Sequence, residues 1–235
     1  DLHAEDVADI IERAPPDLAP DLLAALSAER AADVLECIEP HRQVDLVQRL
    51  GVTRAVGIIE EMASDERADF VTELPHSFAE SLLAAMDPED RADVRSLVKW
   101  EDGTVGAVMS TDTLTVPVEM SVGQVIERVR TVGEEAETVY YVYVVAGSDK
   151  LVGVVSLRDL ILCGDDQPVA SIMAEDIKSI GPDEDQEEAA TLIQHYDLIA
   201  LPVVDDAYRL LGLVSIDDLV DVIAEEATED MHRMA

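Results

Sequence analysis

Gly212-Leu213-Val214-Ser215-Ile216-Asp217-Asp218-Leu219 decides the fold, because the chain writes it twice. Gly153-Val154-Val155-Ser156-Leu157-Arg158-Asp159-Leu160 is the same phrase: an apolar strand running into a Ser that opens a helix. The match extends outward. Upstream of the two phrases lie strands at Thr138 to Val145 and Ile199 to Val204, and helices at Val122 to Arg130 and Glu184 to His195. Further upstream come short strands at Leu114 to Val118 and Ile177 to Ile180. Each copy is approached through a stretch that ends in Met, Val105-Gly106-Ala107-Val108-Met109 and Val169-Ala170-Ser171-Ile172-Met173. A duplicated β-α-β-β-α unit implies that the two copies pair and bury each other's open sheet.

Residues 1–100 read differently. Apolar residues recur at helical spacing, as in Val7, Ile10, Ile11 and Leu18, Leu22, Leu23, Leu26. The segments are short and restart at Ser27, Pro40, Thr53, Ser64, Pro75 and Pro88, residues suited to an N-cap or a first helical turn. The phrases Glu29-Arg30-Ala31-Ala32-Asp33-Val34, Glu66-Arg67-Ala68-Asp69-Phe70 and Asp90-Arg91-Ala92-Asp93-Val94 are related. Short helices in tandem predict a small right-handed superhelical stack, with an irregular bundle as the alternative. The fold class is α+β in separate parts. An all-helical domain spans 1–100 and a linker 101–104, the copies occupy 105–164 and 165–224, and a further helix begins in 225–235.

Of 235 residues, 52 are acidic and 16 basic, a net charge of −36. That excess opposes nucleic acid and anionic membrane surfaces, and favours cations or a basic partner. Apolar residues make up 48%, enough for packed cores, while aromatics are only 3%. Cys37 and Cys163 lack CxxC spacing and are expected to be reduced, buried thiols in a cytosolic protein. No apolar run is long enough to cross a bilayer. The sequence does not begin with Met, so it reads as a piece of something longer. His3, His41, His76, His195 and His232 form no HExxH pair, and neither a nucleophile elbow nor a Gly-rich phosphate loop is present, so no enzyme is expected. His195 reads as a capping or packing residue, and Trp100 as packing in the hinge region. On the last helix Asp218, Asp221 and Glu225 share one face and Leu219, Val222 and Ile223 the other. The acidic face is either simply solvated or a ligand surface.

The duplicated unit resembles a tandem pair of CBS domains, on the strength of Ala107-Val108-Met109, Ser171-Ile172-Met173 and the two Gly-x-Val-Ser-x-x-Asp phrases. Behind an acidic helical stack, the whole resembles the cytosolic region of the MgtE family of magnesium transporters. The run from Ala136 to Val145, with its Tyr140-Tyr141-Val142-Tyr143, and Ala227-Thr228-Glu229-Asp230 carry that likeness. The resemblance implies that a connecting helix and a transmembrane pore follow, with this region at the cytoplasmic face of the membrane. It implies a Mg²⁺ sensor in which Mg²⁺ bridges the helical domain, the CBS pair and the connecting helix, and so favours the closed pore. It also implies a homodimer through the CBS pair.

Metal positions implied by the resemblance are Asp33, Asp65 and Asp69 of the helical domain, facing Asp218. Asp33 stands where the family can have the longer Glu. Asp197, Asp221 and the carbonyl of Gln194 form a second group. Asp185, Glu187, the carbonyl of Ala107, Glu226, Glu229 and Asp230 form the groups toward the connecting helix. The alternative ligand is ATP, bound by Tyr141, Arg158 and Asp159 in the cleft between copies. There Leu198 replaces an aromatic that could stack on adenine, and Asp176 stands where a Lys could meet phosphate. An acidic dimerisation module without a ligand is a further reading.

Overall fold

Ser27, Asp87, Ser121, Ser156 and Asp185 each start a helix with a side-chain cap. The computed structural model describes residues 2–133 and 136–220. It divides into two compact units, 1–98 and 99–235.

The first unit is all helix: α1 (Ala4–Arg13), α2 (Ala19–Ala24), α3 (Ala28–Glu36), α4 (Pro40–Leu50), α5 (Val52–Ile59), α6 (Ser64–Glu73), α7 (His76–Ala85) and α8 (Pro88–Leu97). The helices stack in two rows, α1 on α3, α5 and α7 in one and α2 on α4 and α6 on α8 in the other. Ala31, Ala32 and Ala55 are fully buried, and their small side chains let the rows close up around Leu23, Leu35, Ile58, Ile59 and Leu82. Ser27 caps α3 by accepting from the Arg30 amide, and Asp87 caps α8 ahead of Pro88. Two expected caps shift: Gly51, at φ 76° and two residues before Thr53, precedes α5, and Ser64 lies inside α6, buried, one residue after its N-cap.

Basic and amide side chains close the other helix ends. Arg54 donates to the carbonyls of Ala24 (3.0 Å) and Leu26 (2.8 Å), and Gln43 to those of Leu35 (2.9 Å) and Ile38 (2.8 Å). Cationic donors suit the negative C-terminal end of a helix. Arg67, 4% exposed, pairs with Asp90 and so ties α6 to α8. Cys37 corrects the expectation of burial: it is exposed, because it falls at the C-cap of α3, and its thiol donates to the Asp33 carbonyl.

In the second unit the first copy consists of β1 (Thr115–Pro117), α9 (Val122–Val132), β2 (Tyr141–Ala146), β3 (Lys150–Ser156) and α10 (Leu157–Leu162). β1 runs parallel to β2, and β2 antiparallel to β3. A 3₁₀ turn at Val169–Ser171 leads to the second copy, α11 (Gln186–Tyr196), β4 (Ala200–Val204), β5 (Leu210–Ser215) and a helix beginning at 216. The strand expected at Ile177 to Ile180 shrinks to a single parallel bridge, Ile180 to Val203, since Gly181-Pro182 ends the pairing. Both copies carry a register shift at matching places, Val144/Val145 and Val203/Val204. Ser121 and Gln124 form a capping box at α9, and Leu160 and Leu219, the last residues of the repeated phrases, are both buried.

The copies are locked by exchange. Ser110, from the approach to the first copy, makes reciprocal 2.9 Å backbone bonds with Leu213 on β5 of the second. Ala174, from the approach to the second copy, makes reciprocal bonds of 2.8 and 3.0 Å with Val154 on β3 of the first. The glycines of the repeated phrases permit the crossing. A Cβ on Gly212 would stand 2.4 Å from the Ser110 carbonyl oxygen, and one on Gly153 2.3 Å from the Met173 sulfur. Met109 and Met173, matched in sequence, thus lie over matched glycines. Gly212→Ala must push backbone, whereas Gly153→Ala meets a flexible side chain. Gly212→Ala is expected to cost about 1–3 kcal/mol in chemical denaturation, and Gly153→Ala less; equal small losses would mean that the crossing is looser than it looks.

Candidate functional site

Two places in the second unit gather chemistry. The first is a carboxylate cluster. Ser215 ends β5 and caps the helix from 216, and Asp218 turns back to accept from the Ser215 amide at 3.0 Å and from its hydroxyl. Asp217 projects beside it, exposed. Glu137 reaches the same point from the stretch before β2, anchored by its amide to the Asp112 carbonyl at 2.8 Å. Oxygens of Glu137, Asp217 and Asp218 lie within 4.8 Å of one another, the one such group of three among the described residues.

Like charges so close oppose their own ionisation. Burial, and then the charge of Asp218, push Glu137 up to about 7, against the pull of a hydrogen bond from Ser110. Burial also raises Asp218, while its bonds from Ser215 pull it down. Three carboxylates gathered so closely make a hard-oxygen site, and a small divalent cation bound there would favour the charged forms of Glu137 and Asp218.

The second place is an apolar cavity of about 110 Å³ between the copies, lined by Tyr141, Tyr143 and Val154 from the first and by Asp176, Ile177, Lys178, Leu198, Ala200 and Pro202 from the second. Lys178 lies 3.0 Å from Asp176 and 5.2 Å from the Tyr196 ring, and its bond to Asp176 raises its pKa. Tyr141 lines the cavity. Arg158 and Asp159 are not among its lining residues. They open α10 from Ser156, the partner of Tyr141 across β2 and β3, and Asp159 accepts from the Ser156 hydroxyl at 2.6 Å.

The other expected metal positions are spread out. Asp33 and Asp69 are exposed, and Asp33 pairs with Arg30 at 3.4 Å, while Asp65 is buried. Asp185 caps α11 by accepting from the Glu187 amide, and residues 103–106 bond along 182–186, which brings the approach to Ala107 alongside Asp185. Gln194 and Asp197 close the last turn of α11, with Asp197 left-handed at φ 56°. Asp221, Glu226, Glu229 and Asp230 lie outside the described residues, as do Val222, Ile223 and Glu225. His195 is exposed and stacks edge-on against Tyr196, and the Trp100 ring packs where Gly106 leaves no side chain.

Sequence reasoning missed Glu137, Asp217, Lys178 and Tyr143. The duplication could have flagged Asp217, which replaces Arg158, and Lys178 lies only two places from the Asp176 that was weighed. Nothing local pointed to Glu137, whose neighbouring carboxylates, Asp217 and Asp218, come from the other copy.

A helical stack ahead of two interlocked β-α-β-β-α copies is the architecture of a tandem CBS pair with a helical partner domain. Residues 2–103 match the family description "MgtE intracellular N domain", and 105–164 and 169–225 match "CBS domain". The soluble part of a magnesium transporter, seen in a crystal structure, superposes with a TM-score of 0.91 at 33% identity, over 96% of this chain and 89% of that one. The cytosolic domain of the Mg²⁺ channel MgtE in complex with ATP gives 0.89 at 34% identity, over 94% and 91%. Magnesium transporter MgtE of Thermus thermophilus is 42% identical over 141 residues, 60% of this chain and 31% of that protein. The chain belongs to the MgtE family of magnesium transporters, of which it carries the intracellular N domain and the CBS pair. It spans about a third of the length of the curated relatives it matches, and no described helix is long and apolar enough to cross a membrane.

The raised Glu137 sets a pH dependence. Between pH 4.5, its ordinary value, and about 7, the folded protein holds a proton that the unfolded chain has released. Metal-free stability therefore falls as pH rises through that window and levels off above it. Glu137→Gln is expected to flatten part of this slope and to raise the melting temperature above pH 7; parallel melting curves for parent and variant would discount the burial of Glu137.

Proposed function

We propose that this chain is the Mg²⁺-sensing part of a longer magnesium transporter, lying at the cytoplasmic face of the membrane. In this reading Mg²⁺ ions bridge acidic surfaces of the N domain and the CBS pair and so favour a closed pore. The observation that carries it is the Glu137–Asp217–Asp218 cluster, placed in a chain of net charge −36. Mg²⁺ takes six oxygens and keeps several waters, so a few carboxylates from separate surfaces suffice to hold it. With Mg²⁺ scarce, acidic surfaces repel; each ion bound removes repulsion that opposes the next, which steepens the response.

Asp33, Asp65 and Asp69 are proposed as the N-domain ligands shared with Asp218. Gln194, Asp197 and Asp221 form a site within the CBS pair. Ala107, Asp185, Glu187, Glu226, Glu229 and Asp230 form the sites toward a connecting helix. The role is binding without turnover. A homodimer through the CBS pair is part of the proposal, supported by apolar side chains left exposed on α10 (Ile161, Leu162), on the helix from 216 (Ile216, Val220) and at Tyr140 and Ile199. A second reading, an adenine nucleotide in the cavity at Tyr141, is favoured by the apolar lining beside Lys178 and by the ATP complex of the similar structure.

Limited proteolysis near 100–105 across a Mg²⁺ titration tests the sensor. Protection is expected to rise through the millimolar range, and Asp65→Ala with Asp218→Ala to move the midpoint upward. Cleavage that stays constant from chelator to excess Mg²⁺ would remove the bridging mechanism.

A further inference from the structure

We propose that the Tyr143 hydroxyl reads the edge of the base of a nucleotide held between the two CBS copies, which makes Tyr143 a specificity-determining residue. The inference rests on the nucleotide reading above. Tyr143 lines the cavity and is 1% exposed, yet its buried hydroxyl has no hydrogen-bond partner among the described residues. A buried polar group without a partner is costly to the fold, so its persistence points to a ligand that supplies the partner. The ring cannot turn away to find another. Tyr143 stands on the central strand β2, on the same face as Tyr141, and packs with Leu151, Ala200, Val204 and Leu213.

The surroundings give the ligand's chemistry and its direction. The walls are apolar: Val154, Ile177, Leu198, Ala200 and Pro202. The charged groups face outward, the Asp176 side chain being 91% and that of Lys178 34% exposed. A flat, weakly polar ring fits inward and a charged group outward, which is the polarity of a nucleotide entering base first. A phenol both donates and accepts, so it can satisfy a ring nitrogen or an exocyclic group. Burial pushes the Tyr143 phenol up, which keeps it protonated and able to donate. With Leu198 in place of an aromatic, stacking contributes less to base recognition and the edge contact contributes more.

Titration calorimetry with AMP, ADP and ATP tests the assignment. Tyr143→Phe is expected to weaken all three by the same factor, about five- to tenfold. Lys178→Ala is expected to weaken binding more with each added phosphate. The melting temperature of ligand-free Tyr143→Phe is expected to equal or exceed the parent's, because the variant removes a hydroxyl with no partner. Unchanged affinity in Tyr143→Phe, a loss that grows with phosphate number, or a clear loss of ligand-free stability would each overturn the role of Tyr143 while leaving the nucleotide site standing. A parent protein that binds none of the three would overturn the nucleotide reading itself, and this inference with it.

Discussion

Each CBS copy is completed by backbone that belongs to the approach of the other. Ser110 pairs with Leu213, and Ala174 with Val154, through reciprocal hydrogen bonds. Backbone groups of an open sheet edge must find partners, and Leu213 on β5 and Val154 on β3 find them across the duplication. The exchange explains why glycines recur at 153 and 212, where a side chain would collide with the crossing segment. It also explains where ligands can go. The cavity and the carboxylate cluster both draw residues from the two copies, because the exchange holds the copies face to face.

The two places are chemically opposed although the copies are alike. Where the first copy carries Arg158 before its helical Asp, the second carries Asp217. Lys178 and the tyrosines make one side of the pair hospitable to an anion with a flat base, and Glu137 with Asp217 and Asp218 makes another hospitable to a cation. Duplication followed by a few charge changes thus gives one scaffold two chemically unlike places. In the N domain the same scarcity of positive charge has a structural use. Arg54 closes a helix end and Arg67 joins two helices, so these bases serve the fold, while Asp33 and Asp69 remain at the surface.

The sequence made the duplication legible because Gly, Ser and Asp recur at fixed offsets for backbone reasons: a crossing that excludes Cβ, a cap and a capping acid. The helix restarts of the N domain were legible for similar reasons at Ser27, Pro40 and Pro88, and slipped at Ser64, which tertiary packing buries. The strand at Ile177 to Ile180 was over-read, since β-branched residues predict an extended chain but not how long a partner accompanies it. Cys37 was misjudged because helical apolar context does not reveal that a residue sits at a helix end. Glu137 and Tyr143 acquire their importance from surroundings far along the chain, one from like charges and the other from a burial that leaves its hydroxyl without a partner among the described residues.

The reciprocal exchange bears on how such a molecule could have arisen. A lone copy would leave its approach segment with no strand to lie on and its final strand uncovered. Two separate copies could supply both needs to one another, so the present arrangement reads as an ancestral pair of identical chains later joined end to end. Joined in one chain, the halves need not match, and a guanidinium at the mouth of one helix against a carboxylate at the other is a difference that two identical chains could not carry on one side alone.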